Sequence, residues 1–215
     1  MSLYLGKIHY WLFNKIVWFE GLEKEIEKVI TAEGLPLNEW KEEIYSKYGE
    51  PTENKPLEEM IDTSNIHGWL QSKITSAEGR HAAFVTRGFE KLGEKFLNLV
   101  KEVYRAQGVN AAKEYLETGE GVDSPGEIFT ALNNYILDGM PCDRANEILE
   151  NLENKLSWET TTDVHGNYWR KENGDVQWFY DVRDYWIKSF VENLNKKFSF
   201  KKINDNIREI YIKEV

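Results

Sequence analysis

The stretch "LSWETTTDVHGNYWRKENGDVQWFYDVRDYWIKSFVENLN", residues 156–195, decides the fold because its hydrophobic period changes within it. Leu156 and Trp158 stand two positions apart and are followed by alternating threonines, which is the spacing of a strand. Farther along, Trp178 and Val182 are four positions apart on a helical line. This part of the chain therefore combines strand and helix.

The chain before this stretch has mainly helical spacing. Between Tyr4 and Ala32, apolar residues recur with helical spacing at Ile8, Leu12, Phe19, Leu22, Ile26 and Ile30. Further helices are predicted over residues 37–49, 63–108, 109–121, 124–139 and 141–155. The segment 63–108 is long for one helix, so a break is expected near Gly79 or Gly88, and Gly108 is expected to end it.

The tail after residue 195 alternates apolar and polar residues around the turn signal "NDN", which predicts a β-hairpin. The sequence thus predicts an α+β protein that is predominantly α. A helical region over residues 1–155 would be followed by an α+β region over residues 156–215, with a small antiparallel sheet, packed on it as one compact unit.

Composition excludes several classes of protein. A chain of 215 residues with 41% hydrophobic content can bury one substantial core. The net charge of −10 argues against binding nucleic acid, and no uncharged run approaches the roughly 20 residues of a membrane span. The single cysteine, Cys142, excludes an intrachain disulfide and favours a cytoplasmic location.

Two isolated motifs have both a chemical and a structural interpretation. Glu78 and His81 form an E-x-x-H pair on one helical face, as in di-iron bundles, but the chain has no second pair, and we predict no metal there. His67 is too far along the same helix to share an ion with them. Cys142 follows Pro141 at the start of a predicted helix, where a thiolate would be favoured, although a free cysteine usually packs as an apolar residue.

The aromatic residues of the opening stretch exceed what one narrow helix face needs. Such a surplus favours either a helix buried on two sides or a ligand pocket with aromatic walls and a few polar groups. For the pocket, His165 is the candidate general base and Arg183 the group that would hold an anion. The other predicted lining residues are Trp158, Tyr168, Trp169, Trp178, Tyr180 and Tyr185.

About residues 85–215 resemble the L-2-amino-thiazoline-4-carboxylate hydrolase-like family. The resemblance lies in the segments "FEKLGEKFLNLVKEVYRAQGVNAAKEYL" and "YDVRDYWIKSFVENLN", together with the strand, short helix and hairpin around them. A more distant likeness is to vinyl-reductase-type ligand-binding domains. Asp184 and Phe190 match positions that the family tends to fill with these residues. The resemblance implies a ligand pocket between the helices and the carboxy-terminal strands. Family cysteines are replaced here by residues 163–165 and Tyr180, so the family's thiol chemistry is not implied.

The resulting prediction is binding, and by extension hydrolysis, of a small organic molecule in an aromatic pocket; no cofactor is indicated. One alternative is a non-enzymatic helical scaffold, for example a homodimer that pairs through the aromatic residues of the first helix, Tyr10, Trp11, Phe13 and Trp18. A further alternative is a metal-binding helical bundle at Glu78 and His81.

Overall fold

Within residues 5–213, helices come first along the chain, and the strands follow in two pairs, one before and one after the last two helices. The computed structural model describes residues 5–213. The helices are α1 (Lys7–Ala32), α2 (Leu37–Tyr48), α3 (Leu57–Met60), α4 (Ile66–Leu92), α5 (Glu94–Glu117), α6 (Pro125–Leu132), α7 (Gly166–Lys171) and α8 (Val176–Leu194). The strands are β1 (Asn146–Asn151), β2 (Lys155–Thr160), β3 (Phe198–Lys202) and β4 (Ile207–Ile212). The α+β class, predominantly α, is confirmed.

The four strands form one antiparallel sheet in the order β1-β2-β4-β3. Helix α8 packs against α5 on one side and β3 on another, while α1 packs mainly against α4. The apolar side chains between these layers form one continuous core. Between residues 5 and 213, no helix is both long and apolar enough to span a bilayer.

The predicted helix break near Gly79 or Gly88 is wrong, because α4 continues to Leu92. A side chain at Gly79 would collide with the ring of Tyr48, and one at Gly88 with the ring of Phe96. These two glycines therefore serve close packing inside a continuous helix. The break comes at Gly93, whose positive φ of 58° separates α4 from α5.

Gly108 also lies inside a helix, because α5 runs on to Glu117 and includes the segment that was predicted as a separate helix. A Cβ at Gly108 would collide with the backbone carbonyl of Trp186 on α8. The absence of a side chain here lets α5 and α8 pack closely, so this glycine contributes to the core.

The helix predicted over residues 141–155 is wrong as well. Pro141–Asp143 forms a single 3₁₀ turn, and Arg144 follows in the left-handed conformation with φ 47°. The chain then enters β1, which forms backbone hydrogen bonds with β2. This pairing outweighs the helix propensity of the glutamates and leucines in the segment.

The helix predicted over residues 124–139 ends early, at Leu132. The following residues, 133–140, have no regular secondary structure beyond turns and bends. This irregular segment, which we call the 133–140 segment, lies against α1 through two contacts. The indole Nε1 of Trp11 donates to Oδ1 of Asn134 over 3.0 Å, and the rings of Trp18 and Tyr135 meet edge to face at 5.0 Å.

Candidate functional site

A group of buried polar side chains lies where α1, α4, α5, α8 and the 133–140 segment meet. We call it the polar cluster; its members are Lys15, Glu78, His81, Tyr104, Asp138, His165 and Arg183. At its centre is His165, which is 1% exposed. Its Nδ1 is 2.8 Å from Oε1 of Glu78, and its Nε2 is 3.3 Å from Oδ1 of Asp138. Both ring nitrogens therefore face carboxylates.

The sequence "DVHG" explains how His165 reaches this position. Oδ1 of Asp163 accepts hydrogen bonds from the backbone N–H groups of His165 and Gly166, over 3.0 and 2.8 Å. Aspartate commonly stabilises a turn in this way. The hydroxyl of Tyr180 also donates to this oxygen, over 2.9 Å, and so links the turn to α8.

Asp138 links the 133–140 segment to α8. Arg183 places Nη1 2.6 Å from Oδ1 of Asp138 and donates from Nη2 to Oδ2 over 2.8 Å. The side-chain amide of Asn146 donates to Oδ2 over 2.7 Å. Burial raises the pKa of Asp138, but Arg183, His165 and Lys15 outweigh this effect and hold the pKa well below its usual range. Asp138 is therefore a carboxylate at neutral pH.

His165 is an imidazolium at neutral pH. Burial lowers its pKa, but the carboxylates of Glu78 and Asp138 outweigh burial and raise the pKa to about 9. A histidine that already holds both protons cannot accept another. This pKa favours a buried cation over a general base at His165, and the catalytic role of the residue stays a prediction.

His81 is neutral, unlike His165. Its pKa is lowered to about 3, first by burial and then by the positive charge of His165. Its Nε2 is 2.8 Å from the hydroxyl of Tyr104, whose own pKa burial raises well above 10. Its Nδ1 is buried and has no hydrogen-bond partner among the described residues.

Lys15 is a buried amine that forms no ion pair with any residue between 5 and 213. The side chain is 5% exposed, and its Nζ is 3.9 Å from the ring centroid of Trp11. Burial lowers the pKa of Lys15 to about 8; Asp138 opposes this shift and Arg183 adds to it. At neutral pH the polar cluster thus contains three cations, Lys15, His165 and Arg183, against the carboxylates of Glu78 and Asp138.

A small cavity adjoins the polar cluster and has mostly aromatic and aliphatic walls. Its volume is about 30 Å³. The lining residues are Phe19 and Leu22 on α1, Tyr104 and Gln107 on α5, Phe179, Arg183 and Trp186 on α8, and Tyr135, Ile136 and Leu137 of the 133–140 segment. Tyr104 and Arg183 belong to both the cavity wall and the polar cluster.

The structure does not bring the predicted aromatic residues together around this cavity. Trp158 on β2 packs against Phe129 on α6 and Phe200 on β3. The ring of Trp178 packs at a tilt against that of Phe89, with the centroids 4.1 Å apart, and Tyr185 is 46% exposed. These three aromatic rings thus lie in separate places.

The remaining predicted residues lie closer to the polar cluster. Trp169 is fully buried, with its ring 6.1 Å from that of His81, and its indole N–H has no partner among the described residues. Tyr168 is half-buried, with its hydroxyl 3.3 Å from that of Thr75. Of the eight predicted site residues, Arg183 alone is in the cavity wall.

The two residues of the E-x-x-H pair contact different partners: Glu78 contacts His165, and His81 contacts Tyr104. Within residues 5–213, no group of three or more histidine, cysteine, aspartate or glutamate side chains is arranged to hold a metal ion. The ring of His67 instead packs at a tilt against that of His9, with the ring centroids 5.5 Å apart.

Cys142 and the aromatic residues of α1 lie in surroundings that differ from those predicted. Cys142 is exposed in the 3₁₀ turn before β1, so the helix N-terminus that would favour its thiolate is not formed. On α1, Trp11 and Trp18 contact the 133–140 segment, which accounts for part of the aromatic surplus. Tyr10 is 40% exposed, and a homodimer through this helix stays a prediction.

Sequence reasoning missed Lys15, Tyr104 and Asp138. A signal was present for Lys15, because it occupies a position on the apolar face of α1, between Leu12 and Phe19.

Comparison with family models, curated proteins and solved structures finds no match to the chain. A functional proposal therefore depends on the geometry and charges of the site.

Proposed function

We propose that this protein binds a small organic anion in the cavity beside Arg183. The observation that carries the proposal is that Arg183 has a buried hydrogen-bond donor with no acceptor in the part of the chain that the structure describes. This residue lines the cavity, is buried, and has an Nε–H without an acceptor among the described residues. An unsatisfied buried donor on a cation is costly, and the acceptor oxygen of a ligand would remove that cost.

The charges of the polar cluster support an anion over a neutral or cationic ligand. Three cations and two carboxylates leave one positive charge in excess at neutral pH, and Lys15 has no described carboxylate partner. Uncompensated buried charge is unfavourable, and a bound anion would balance it.

The size of the cavity limits the ligand. A volume of about 30 Å³ accommodates one or two water molecules, so the ligand has few non-hydrogen atoms or the wall yields on binding. Seven of the ten lining residues lie on long helices; the other three, Tyr135, Ile136 and Leu137, lie outside any helix or strand. The 133–140 segment is therefore the part of the wall that would move to admit a larger ligand.

Hydrolysis, which the family resemblance implies, stays a prediction. In such a reaction His165 would act as a cation or proton donor, because its pKa is raised to about 9. The neutral histidine of the polar cluster is His81, with its unpartnered Nδ1.

The proposal is tested by titrating the protein at pH 7 with propionate and with its neutral analogue propionamide. Binding is followed by the NMR signal of the Trp186 indole, which lies in the cavity wall. Propionate is expected to bind with a Kd on the order of 1 mM, given its few atoms. Propionamide should bind about tenfold more weakly, because it lacks the charge that Arg183 recognises.

Two arginine variants test whether propionate binds beside Arg183. Arg183→Lys keeps the charge but removes Nε, and it should weaken propionate binding about tenfold. Arg105→Lys changes an arginine on α5 that is 62% exposed and pairs with Glu102, and it should leave binding unaltered. Equal binding of propionate and propionamide, or no binding of either, contradicts the proposal.

A further inference from the structure

Strand β1 leaves one end of the sheet open. It is the first strand in the order β1-β2-β4-β3, and between residues 5 and 213 it pairs with β2 alone. A strand in this position directs a row of backbone N–H and C=O groups away from the sheet. The strand at the other end, β3, packs against α8 and its residues 198–200 are buried, whereas residues 147–149 of β1 are exposed. The less protected end of the sheet is therefore β1.

The apolar side chains at this edge are unusually exposed. Ile148 and Leu149 are each 49% exposed, and Leu152, directly after the strand, is 47% exposed. Only ten large apolar side chains are exposed in the described part of the chain, and these three lie within five consecutive positions. A local concentration of exposed apolar groups is typical of an interaction surface.

The register between β1 and β2 shows how the side chains of β1 divide between the two faces of the sheet. Paired residues share a face, and the pairs are Glu147 with Glu159, Ile148 with Trp158, and Glu150 with Ser157. The register shifts between the last two pairs, which makes Leu149 the extra residue of a β-bulge. Because successive residues of β2 alternate between the faces, Glu147 and Glu150 lie on one face and Ile148 lies on the other.

The glutamates of this edge are poorly balanced by cations. Glu150 forms an ion pair with Lys155 over 2.6 Å. Glu147 and Glu153 form no ion pair with any residue between 5 and 213. The edge therefore carries an excess of negative charge beside its exposed apolar side chains.

The acidic character continues past the end of the strand. Asn151, the last residue of β1, is in the wall of an open cleft of about 700 Å³. Glu120 and Glu127 line the same cleft, whose described wall contains no lysine or arginine. A residue paired with Asn151 would lie beside these two carboxylates.

A second copy of this chain fits the edge poorly. The strand reads Asn-Glu-Ile-Leu-Glu-Asn, so its order of residue types is the same in both directions. Antiparallel pairing of two copies about the centre of the strand would place Glu147 of each copy opposite Glu150 of the other. Like charges in directly opposite positions are destabilising, and the net charge of −10 on each chain adds to the repulsion.

We propose that β1 binds an extended, basic segment of a partner protein, which joins the sheet as a fifth strand. Backbone hydrogen bonds along the open edge would hold the segment, and its side chains would determine the specificity. Alternating basic and apolar residues match the edge, because basic side chains would face Glu147 and Glu150 while apolar ones extend the face of Ile148. The same glutamates that repel a second copy thus select a partner of opposite charge.

The test titrates the protein at pH 7 with the blocked peptide acetyl-KVKVKV-amide and with its acidic counterpart acetyl-EVEVEV-amide. Binding is followed by the NMR signals of the backbone amides of residues 146–151. The basic peptide should shift these signals and bind at least about tenfold more tightly than the acidic one. The basic peptide with every backbone nitrogen methylated keeps its charge but lacks N–H donors, and it should bind at least about tenfold more weakly than the unmethylated form.

Two charge-reversal variants locate the contact. Glu147→Lys combined with Glu150→Lys should reverse the preference, so that the acidic peptide binds more tightly than the basic one. Glu90→Lys combined with Glu94→Lys changes the net charge by the same amount, at two exposed glutamates on α4 and α5. That control should keep the preference of the wild type for the basic peptide.

The proposal is overturned if the basic peptide does not bind, if both peptides bind the wild type equally, or if its N-methylated form binds as well. A preference for the basic peptide that survives charge reversal at Glu147 and Glu150 also overturns it. Amide signals of β1 that shift with protein concentration alone would assign the edge to a second copy instead. The comparison of peptides on the wild type decides the matter even when a variant does not fold.

Discussion

Replacing Arg80 by methionine is expected to lower the free energy of unfolding by about 3–5 kcal/mol. Arg80 on α4 is fully buried, with Nη2 2.6 Å from Glu20 and Nε 2.8 Å from Glu23. Methionine fills a similar volume but leaves the carboxyl groups of Glu20 and Glu23 without their cation in the core, where burial raises the pKa of Glu23 to about 7 even beside Arg80. Breaking a buried ion pair from one side costs far more than the pair contributes, because the remaining charge stays desolvated.

The matched control for this prediction is Arg87→Met, on the same helix. Arg87 also pairs with a glutamate, Glu43, over 2.7 Å, but its side chain is 27% exposed and that of Glu43 is 67% exposed. Exposed pairs contribute about 0–1 kcal/mol. Urea unfolding followed by circular dichroism measures both variants. Equal losses in the two proteins would contradict a structural role of the buried charges.

His165→Gln is expected to cost about 3 kcal/mol at pH 6 and little at pH 9.5. The pKa of His165 is raised from 6.5 in the unfolded chain to about 9 in the folded protein. The stability that this shift contributes is fully present below pH 6.5 and is lost as the pH rises through about 9. Glutamine cannot be charged, so the variant lacks this contribution at every pH.

The difference between wild type and variant is the quantity to measure, because Lys15 titrates in the opposite direction. Its pKa is lowered to about 8, so folding becomes more favourable as the pH rises above that value. This contribution is common to both proteins and is largely removed by subtraction. A difference that does not shrink between pH 6 and pH 9.5 would show that His165 is not an imidazolium in the folded protein.

The fold could be predicted where one face of an element is buried. Helix α8 and the β3–β4 hairpin show the expected periods because their apolar residues face the core. Strand β1 could not be recognised, since Ile148 and Leu149 are adjacent and both 49% exposed. That strand exists through its hydrogen bonds to β2, which its own residue pattern does not encode.

The site could be predicted only in part. The residue types of His165 and Arg183 indicated a candidate base and an anion-binding group, and both prove to be buried in the polar cluster. The role of His165 depends on Glu78, which is 87 positions away in the chain, and that of Arg183 on Asp138, 45 positions away. The pattern of neighbouring residues in the sequence carries no information on such distant pairs. The protonation state of His165 could therefore be inferred only from the folded structure.

The most direct test of the central claim is the affinity for propionate at pH 7 and at pH 9.5. The claim is that an excess of buried positive charge beside the cavity binds an organic anion. Between these pH values Lys15 and His165, with pKa values of about 8 and about 9, lose their charges, and the cluster changes from one positive to one negative charge in excess. The affinity for propionate is therefore expected to fall at least about tenfold at pH 9.5. An affinity that is the same at both pH values would contradict it.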